Sequence, residues 1–280
     1  MKSPKVNRIL FPSDLSQASD RALAHVRILA QRFDAGVVLY HAAEIPDHCQ
    51  PHWAFAHGHE VWARAAREAR EALAQQAETL GVPCEVLVER VASPHRALLT
   101  LIRERQPDLT VMATHARKGV PHIVLGSVTE HVFRHAFRPV LCIPEPEADR
   151  HTSYQRILLP TDFSAAAGIA FPLAALLARA FDSRVIALHV AHPHGPQAQT
   201  ADIPSEAALW KSTQPELEGV EIVARVHEGT VWDQIVNTAR VEHADLIVMS
   251  TRGHDSLSDV VLGSNTDRVV RHAPCPVLVA

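Results

Sequence analysis

The chain has 280 residues, 47% of them hydrophobic, which suits two globular domains of about 140 residues each. Its formal net charge of −4 excludes a general electrostatic affinity for nucleic acid or for an acidic membrane surface. Its apolar runs are far shorter than the ~20 residues that cross a bilayer, and no signal-peptide segment is expected. The four cysteines form no Cys-x-x-Cys pair, which indicates reduced thiols in a cytoplasmic protein.

The first half of the chain alternates short apolar runs with helical segments. A run that ends at Pro12 predicts a buried parallel strand, and Ser16 then caps a helix that reaches about Arg32. Gly36 is expected to end that helix. The predicted strands are 6–11, 37–41, 84–90, 109–113 and 139–143, and the predicted helices are 16–32, 60–80, 94–105 and 127–135.

The second half repeats the first. Segment 8–14 (RILFPSD) returns at 156–162 (RILLPTD), and segment 126–129 (GSVT) returns at 263–266 (GSNT). A repeat of this length predicts two copies of one folded unit, the N-terminal and the C-terminal repeat. The offset between the copies falls from 148 to 137, so the C-terminal repeat has lost 148 − 137 = 11 residues.

The lost residues lie between His189 and Glu221, where a stretch rich in proline and histidine replaces the long helix of the N-terminal repeat. A short or irregular helix is therefore expected there. The polar, proline-rich stretch 144–150 is typical of a linker. The predicted domains are 1–145 and 151–280.

Strands that alternate with helices predict, in each repeat, a five-stranded parallel sheet with helices on both faces, of the doubly wound Rossmann-like class. The ligand crevice of such a sheet lies at the carboxyl ends of its strands, where the winding reverses. If strands one and four are neighbours, Asp14 or Asp162 meets there the Gly-Ser step that opens the helix after strand four. Free N–H groups at a helix start suit phosphate, and a carboxylate can accept from a ribose hydroxyl or help to hold Mg²⁺.

The order and spacing of these motifs resemble the universal stress protein family, in tandem and across nearly the whole chain. ATP-binding members of that family carry Gly-x-x-Gly, then nine residues, then Gly-Ser/Thr. The C-terminal repeat matches with one glycine replaced and the N-terminal repeat with two replaced, as Ser250-x-x-Gly253, nine residues, Gly263-Ser264 and Ala113-x-x-Ala116, nine residues, Gly126-Ser127. The resemblance implies an adenine nucleotide alpha hydrolase-like fold.

The resemblance also implies ATP as the ligand, with Mg²⁺ at its phosphates and Val190 beside the base. The implied contact residues of the C-terminal repeat are Pro160, Thr161, Asp162, Val190, Ser250, Arg252, Gly253, Gly263, Ser264, Asn265 and Thr266. Those of the N-terminal repeat are Pro12, Ser13, Asp14, Ala42, Gly126, Ser127, Val128 and Thr129. Because a Cβ at Ala116 would crowd a phosphate where Gly253 would not, the C-terminal repeat is expected to bind better.

Each of these residues also has a structural interpretation. The Gly-Ser steps can be ordinary helix starts, the two aspartates can cap the following helix, and Arg252 can be a solvated loop residue. The sequence has no G-x-x-x-x-G-K-[ST], H-E-x-x-H or G-x-S-x-G motif, so it predicts no catalytic residue. Weak ATP hydrolysis is the most that an enzymatic interpretation allows.

Two clusters stand at the start of the long helix. Segment 48–59 holds four histidines and Cys49, which together could bind zinc, although their spacing matches no structural finger and a polar loop is the competing interpretation. Trp53, Phe55 and Trp62 predict packing in a core or between domains, or else a pocket for an apolar ligand.

The apolar strands 140–143 and 277–280 are expected to pair across a pseudo-two-fold axis within the chain, and the whole chain could dimerise further. The resemblance implies a nucleotide-responsive stress-response module that acts on an unknown regulatory protein partner. No nucleic-acid or membrane partner is predicted. A nucleotide-free scaffold or carrier of an apolar ligand is the alternative.

Overall fold

The computed structural model describes residues 4–44, 54–114, 126–144, 153–191, 217–250 and 263–280, with the backbone alone over 54–61. The chain divides into two compact units, one built from Val6–His115 and Leu125–Val140 and the other chiefly from Leu141–Ala280. None of the described helices is long and apolar enough to cross a membrane. The boundaries expected at 145 and 151 stay a prediction.

The N-terminal repeat forms the predicted parallel sheet. Its elements are β1 (Arg8–Pro12), α1 (Gln17–Phe33), β2 (Gly36–Glu44), α2 (Ala54–Leu80), β3 (Cys84–Val91), α3 (Pro94–Arg105), β4 (Leu109–Thr114), α4 (Ser127–His135) and β5 (Val140–Pro144). The strand order is β3-β2-β1-β4-β5, and β1 pairs in parallel with both β2 and β4. This order confirms the doubly wound class.

The C-terminal repeat has the same order, β8-β7-β6-β9-β10, again with parallel pairing. Its elements are β6 (Arg156–Pro160), α5 (Phe171–Phe181), β7 (Arg184–Ala191), β8 (Ile222–Glu228), α6 (Val231–Val241), β9 (Leu246–Met249), α7 (Ser264–His272) and β10 (Val277–Val279). The irregular helix predicted between β7 and β8 falls within 192–216, which lies outside the described residues.

The expected end of α1 at Gly36 is wrong. The helix ends at Phe33, Asp34 adopts the left-handed conformation with φ 52°, and its N–H donates to the Ala30 carbonyl. Gly36 is instead the first residue of β2. Aspartate tolerates the left-handed region better than most residues, so the chain ends this helix without a glycine.

The helix after β6 is divided, whereas its counterpart α1 is continuous. A 3₁₀ turn covers Ala167–Ala170, and α5 begins at Phe171 with Pro172 in its first turn. Proline has no N–H to donate and would clash with the carbonyl four residues earlier, so it is tolerated only where a helix begins. Pro172 therefore sets the start of α5.

One carboxylate in each repeat joins strands one and four at their amino ends. The side chain of Asp108 accepts the backbone N–H groups of Asn7 and Arg8, at 2.8 and 3.0 Å. Asp245 accepts those of residues 155–156, both at 2.9 Å. Hydrogen bonds to a charged acceptor are among the stronger ones in proteins, so they help to fix the pairing of these two strands.

His25 is buried in α1, with 4% of its surface exposed. Burial disfavours the charged imidazolium and lowers the pKa of His25 from 6.5 to about 4. The same position in the C-terminal repeat, 148 residues later, is Leu173. The N-terminal repeat therefore carries a buried group that takes up a proton more readily when it unfolds.

We expect the stability of the protein to fall as the pH is lowered from about 6.5 to about 4, because His25 binds protons more tightly in the unfolded chain. The expected loss is at most about 3 kcal/mol, at 1.36 kcal/mol for each pKa unit. His25→Leu should remove this component, as measured by urea unfolding at several pH values. An unchanged pH profile in the variant would show that His25 does not contribute to it.

Candidate functional site

Strands one and four are neighbours in both repeats, as the crevice prediction requires. Ile9 and Leu10 of β1 pair with residues 109–110 of β4, and Ile157 and Leu158 of β6 pair with 246–247 of β9. The chain winds from strand one towards strands two and three on one side, and strand four lies on the other. The carboxyl ends of β6 and β9 therefore flank a topological switch point, as do those of β1 and β4.

The segment that leaves β6 is held by short-range hydrogen bonds. The Thr161 N–H donates to the Leu188 carbonyl at 2.9 Å, which keeps the residue beside β7. The Thr161 hydroxyl accepts the Phe163 N–H at 3.0 Å, and Asp162 Oδ1 accepts the Ser164 N–H at 2.9 Å. Phe163 takes the left-handed conformation with φ 62°. A tight turn at the carboxyl end of β6 thus positions the carboxylate of Asp162.

The N-terminal repeat forms the same turn. The Ser13 N–H donates to the Tyr40 carbonyl at 2.8 Å, and its hydroxyl accepts the Leu15 N–H at 3.2 Å. Asp14 Oδ1 accepts the Ser16 N–H at 3.0 Å, and Leu15 has φ 61°. The two repeated segments therefore hold their aspartates in the same turn geometry. Both aspartates cap the turn that follows, so their structural interpretation holds whatever else they contact.

A histidine anchors this turn in each repeat, and sequence reasoning missed it. His189 Nδ1 lies 3.0 Å from the Thr161 carbonyl oxygen, and His41 Nδ1 lies 2.9 Å from that of Ser13. Because a carbonyl oxygen only accepts, Nδ1 is the donor in both. The two histidines stand 148 residues apart, the same offset as the two aspartates. Aligning the repeats would have found them.

The start of α7 lies against the end of β9. The N-cap residue Gly263 provides no side-chain cap, and the hydroxyl of the buried Thr266 donates to the Ser250 carbonyl at 3.1 Å. The first N–H groups of a helix have no intrahelical acceptor, and Gly263 leaves them without a side-chain cap. The Thr266 bond thus holds the start of α7, with Gly263, Ser264 and Asn265, beside Ser250 at the end of β9, the strand that neighbours β6.

The N-terminal repeat places α4 after β4 in the same way. Gly126 is its N-cap residue, again without a side-chain cap, and both Gly126 and Ser127 are exposed whereas Thr129 is buried. Gly126 has φ −60°, and a Cβ built there meets nothing within 4 Å. This glycine is required neither by its backbone conformation nor by close neighbours among the described residues.

The two positions predicted beside the base lie at the ends of the second strands. Val190 of β7 pairs with His227, and Ala42 of β2 pairs with Glu89. Glu89 also accepts the Tyr40 hydroxyl at 3.1 Å; burial of that hydroxyl, and then the Glu89 charge, raise the pKa of Tyr40. The N-terminal repeat therefore carries a carboxylate where the C-terminal repeat carries an imidazole.

Several predicted positions cannot be placed in the site. Arg252 and Gly253 lie outside the described residues, as does Ala116. The zinc hypothesis at 48–59 also falls where neither backbone nor side chains are fully described. Elsewhere in the described ranges, no three His, Cys, Asp or Glu side chains are grouped so as to hold a metal ion. The described residues therefore contain no group of side chains that would hold a magnesium or zinc ion by itself.

Of the three aromatic residues predicted to pack together, Trp62 is the one whose side chain is described. The guanidinium carbon of Arg90, on the neighbouring β3, lies 5.9 Å from the centroid of the Trp62 ring. That contact favours packing of α2 on its own sheet. The side chains of Trp53 and Phe55 lie outside the described residues.

The fold and the repeated turn define a class of protein, a tandem pair of doubly wound α/β domains with a candidate ligand crevice at each switch point. The family model for the universal stress protein family matches residues 5–144 and again 153–280. The chain belongs to the universal stress protein family, and it contains two copies of the family's domain.

Known relatives agree with this assignment. A universal stress protein of Methanocaldococcus jannaschii is 36% identical over 138 residues, covering 45% of this chain and 81% of that protein. One from Thermus aquaticus is 31% identical over 140 residues, covering 45% of this chain and 98% of that protein. A universal stress protein structure from Archaeoglobus fulgidus covers 100% of this chain and 99% of its own at a TM-score of 0.77, with 21% identity. The last likeness concerns the fold alone.

We expect His189→Ala to lower the stability of the C-terminal repeat by about 1 kcal/mol, because the Thr161 carbonyl loses its side-chain donor. His189→Asn should cost less, since the asparagine amide can donate from a similar position. Urea unfolding measures both, and His41→Ala is the matched change in the other repeat. Equal losses for the alanine and asparagine variants would contradict an anchoring role for the hydrogen bond.

Proposed function

We propose that this chain is a nucleotide-binding regulatory module of the stress response, and that its C-terminal repeat binds ATP. The observation that carries the proposal is the start of α7 at Gly263, whose N-cap residue offers no side-chain cap and which Thr266 joins to the end of β9, the strand that pairs with β6 before the Asp162 turn. One side of this crevice offers N–H donors and the other offers a carboxylate. A nucleotide needs both, the donors for its phosphates and the acceptor for its ribose.

The phosphates are assigned to the start of α7. N–H groups at the amino end of a helix and the positive end of its dipole attract anions. The exposed Ser264 adds a hydroxyl donor, and Thr266 uses its own hydroxyl to hold the helix start to Ser250. Arg252, Gly253 and Asn265 complete the proposed phosphate contacts.

The ribose and the base are assigned to the ends of β6 and β7. Asp162 follows Pro160 and Thr161, and a carboxylate here can accept a hydrogen bond from a ribose hydroxyl, as acidic residues do in related folds. Val190 is half-buried at the end of β7 and offers an apolar surface to the base. Neither a metal ion nor a catalytic residue is part of the proposal.

Two differences favour the C-terminal repeat over the N-terminal one. Asp14 Oδ1 accepts a second hydrogen bond, from the Ser19 hydroxyl at 2.7 Å, whereas Ala167 at the matching position has no hydroxyl. Gly253 has no Cβ to crowd a phosphate, whereas its counterpart Ala116 has one. The residues of the weaker candidate site are Pro12, Ser13, Asp14, Ala42, Gly126, Ser127, Val128 and Thr129.

One universal stress protein of known structure is a complex with cAMP, 23% identical over 46% of this chain. That ligand is a property of that protein, and the support for ATP in this chain comes from its own residues. Action in the cytoplasm on a regulatory protein, pairing of the two repeats about a pseudo-two-fold axis and dimerisation of the whole chain belong to the same proposal.

Mass spectrometry of small molecules released by denaturing the purified full chain tests for a ligand without assuming one. We expect an adenine nucleotide, and equilibrium dialysis with radiolabelled ATP should then give a stoichiometry near one per chain. A ligand that is apolar instead would favour the carrier hypothesis. Absence of any ligand, together with no retention of added ATP, would reject the proposal.

We expect Asp162→Asn to weaken ATP binding about 10-fold, the effect of losing a charged acceptor worth about 1.4 kcal/mol. Asparagine keeps an oxygen for the Ser164 N–H, so the turn itself should survive. Asp14→Asn is the matched control and should leave the affinity within about 2-fold, measured by calorimetry. The opposite ranking of the two variants would move the site to the N-terminal repeat.

A further inference from the structure

Three histidines lie together where α3 packs on α4 in the N-terminal repeat. The ring centroids of His95 and His131 are 4.4 Å apart, and those of His131 and His135 are 4.2 Å apart. The Ser93 hydroxyl lies 3.2 Å from the His95 ring, and His135 Nδ1 lies 2.8 Å from the His131 carbonyl oxygen. Two of these rings are therefore also fixed by hydrogen bonds.

The matching contact in the C-terminal repeat, between α6 and α7, is formed by different residue types. At an offset of 137, the positions of His95 and His131 are taken by Trp232 and Arg268. The Arg268 guanidinium carbon lies 5.6 Å from the centroid of the Trp232 ring, and the His272 ring lies 5.0 Å from it. An aromatic face attracts cations, so the Trp232 ring stabilises the permanent charge of Arg268 in this contact.

Positive charge has the opposite effect in the histidine cluster. Among the described residues, the charges that act on His131 come from His135 on its own helix and from His95 and Arg96 on α3. The strand β4, which also packs against α4, carries no ionisable side chain, and Glu130 on α4 pairs with Arg134 at 3.0 Å. A proton taken up by one imidazole therefore faces further imidazoles and a guanidinium at close range, where like charges repel.

The direction of the pH effect follows from these neighbours. Desolvation lowers the pKa of His131 below 6.5, and the charges of His135, His95 and Arg96 lower it further. Below about pH 6.5 the unfolded chain then binds more protons at this site than the folded chain does, so the folded contact weakens as the pH falls. As the pH rises above that value, the difference in proton binding at His131 disappears and the contact keeps its full stability.

We propose that the contact between α3 and α4 in the N-terminal repeat is a pH-sensitive joint, which loosens when the histidine cluster is protonated, while the matching contact in the C-terminal repeat holds. α4 begins at Ser127, about one turn before His131, so acid acts on the helix start of the weaker candidate site and spares α7. This inference does not depend on nucleotide binding.

The test is to transplant the C-terminal pair into the N-terminal repeat of the full chain. The variant carries His95→Trp and His131→Arg, and its melting temperature is compared with that of the natural chain at pH 7.5 and 5.5, in EDTA. The melting temperature should fall between pH 7.5 and pH 5.5 in both proteins, and this fall should be about 2–4 °C smaller in the variant than in the natural chain. The contribution of His25 is common to both proteins and cancels.

Hydrogen exchange locates the effect and does not rely on the double variant. In the natural chain, the protection of peptides covering α3 and α4 should fall about 10-fold between the two pH values, after correction for intrinsic rates. Peptides covering α6 and α7 should change by less than about 2-fold. A single His131→Gln change should restore protection at pH 5.5, because glutamine carries no charge.

Four results would overturn the proposal. One is an equal loss of protection in both repeats, and another is an NMR titration that gives His131 a pKa at or above 6.5. The third is a pH effect that disappears in EDTA, which would mean that the cluster responds to a bound metal and not to protons. A joint insensitive to both the single and the double change would lead to the same conclusion.

Discussion

The pairing of strand one with strand four is the constraint on which each candidate site depends. Each pair is joined at its amino ends by a carboxylate, Asp108 or Asp245, that accepts two backbone N–H groups from the other strand. The carboxyl ends are thereby set side by side, where the chain changes its direction of winding. The proposed crevice between the Asp162 turn and the start of α7 depends on that pairing.

The order of the elements could be predicted from the sequence because buried parallel strands and amphipathic helices have different hydrophobic periods. The repeat supported each assignment, since most elements of one half have a counterpart in the other. Prediction failed where local energetics are nearly balanced. At Asp34 a left-handed aspartate ended a helix before the glycine expected to do so. The division of the matching helix at Pro172 was not among the predictions, although a proline is a local signal for a helix start.

The candidate site was predictable in its backbone and less so in its side-chain anchors. A turn residue after a strand and a Gly-Ser step before a helix can be recognised from the neighbouring residues in the sequence. His189 and His41 cannot, because their partners lie 28 residues away in sequence and only the sheet brings them together. The offset of 148 that the two histidines share with the aspartates was the available signal.

Duplication turns each repeat into a reference for the other, because a shared feature is maintained against independent substitution in two places. The turn geometry at Asp14 and Asp162 is such a feature, and fold constraints alone can account for it. The differences carry the information about function. In the N-terminal repeat a serine hydroxyl donates to the aspartate and imidazoles form the helix contact, whereas the C-terminal repeat has an alanine at the first position and a tryptophan and an arginine in the contact. The two domains of one fold thus differ at the positions on which the proposed responses to ligand and to protons depend.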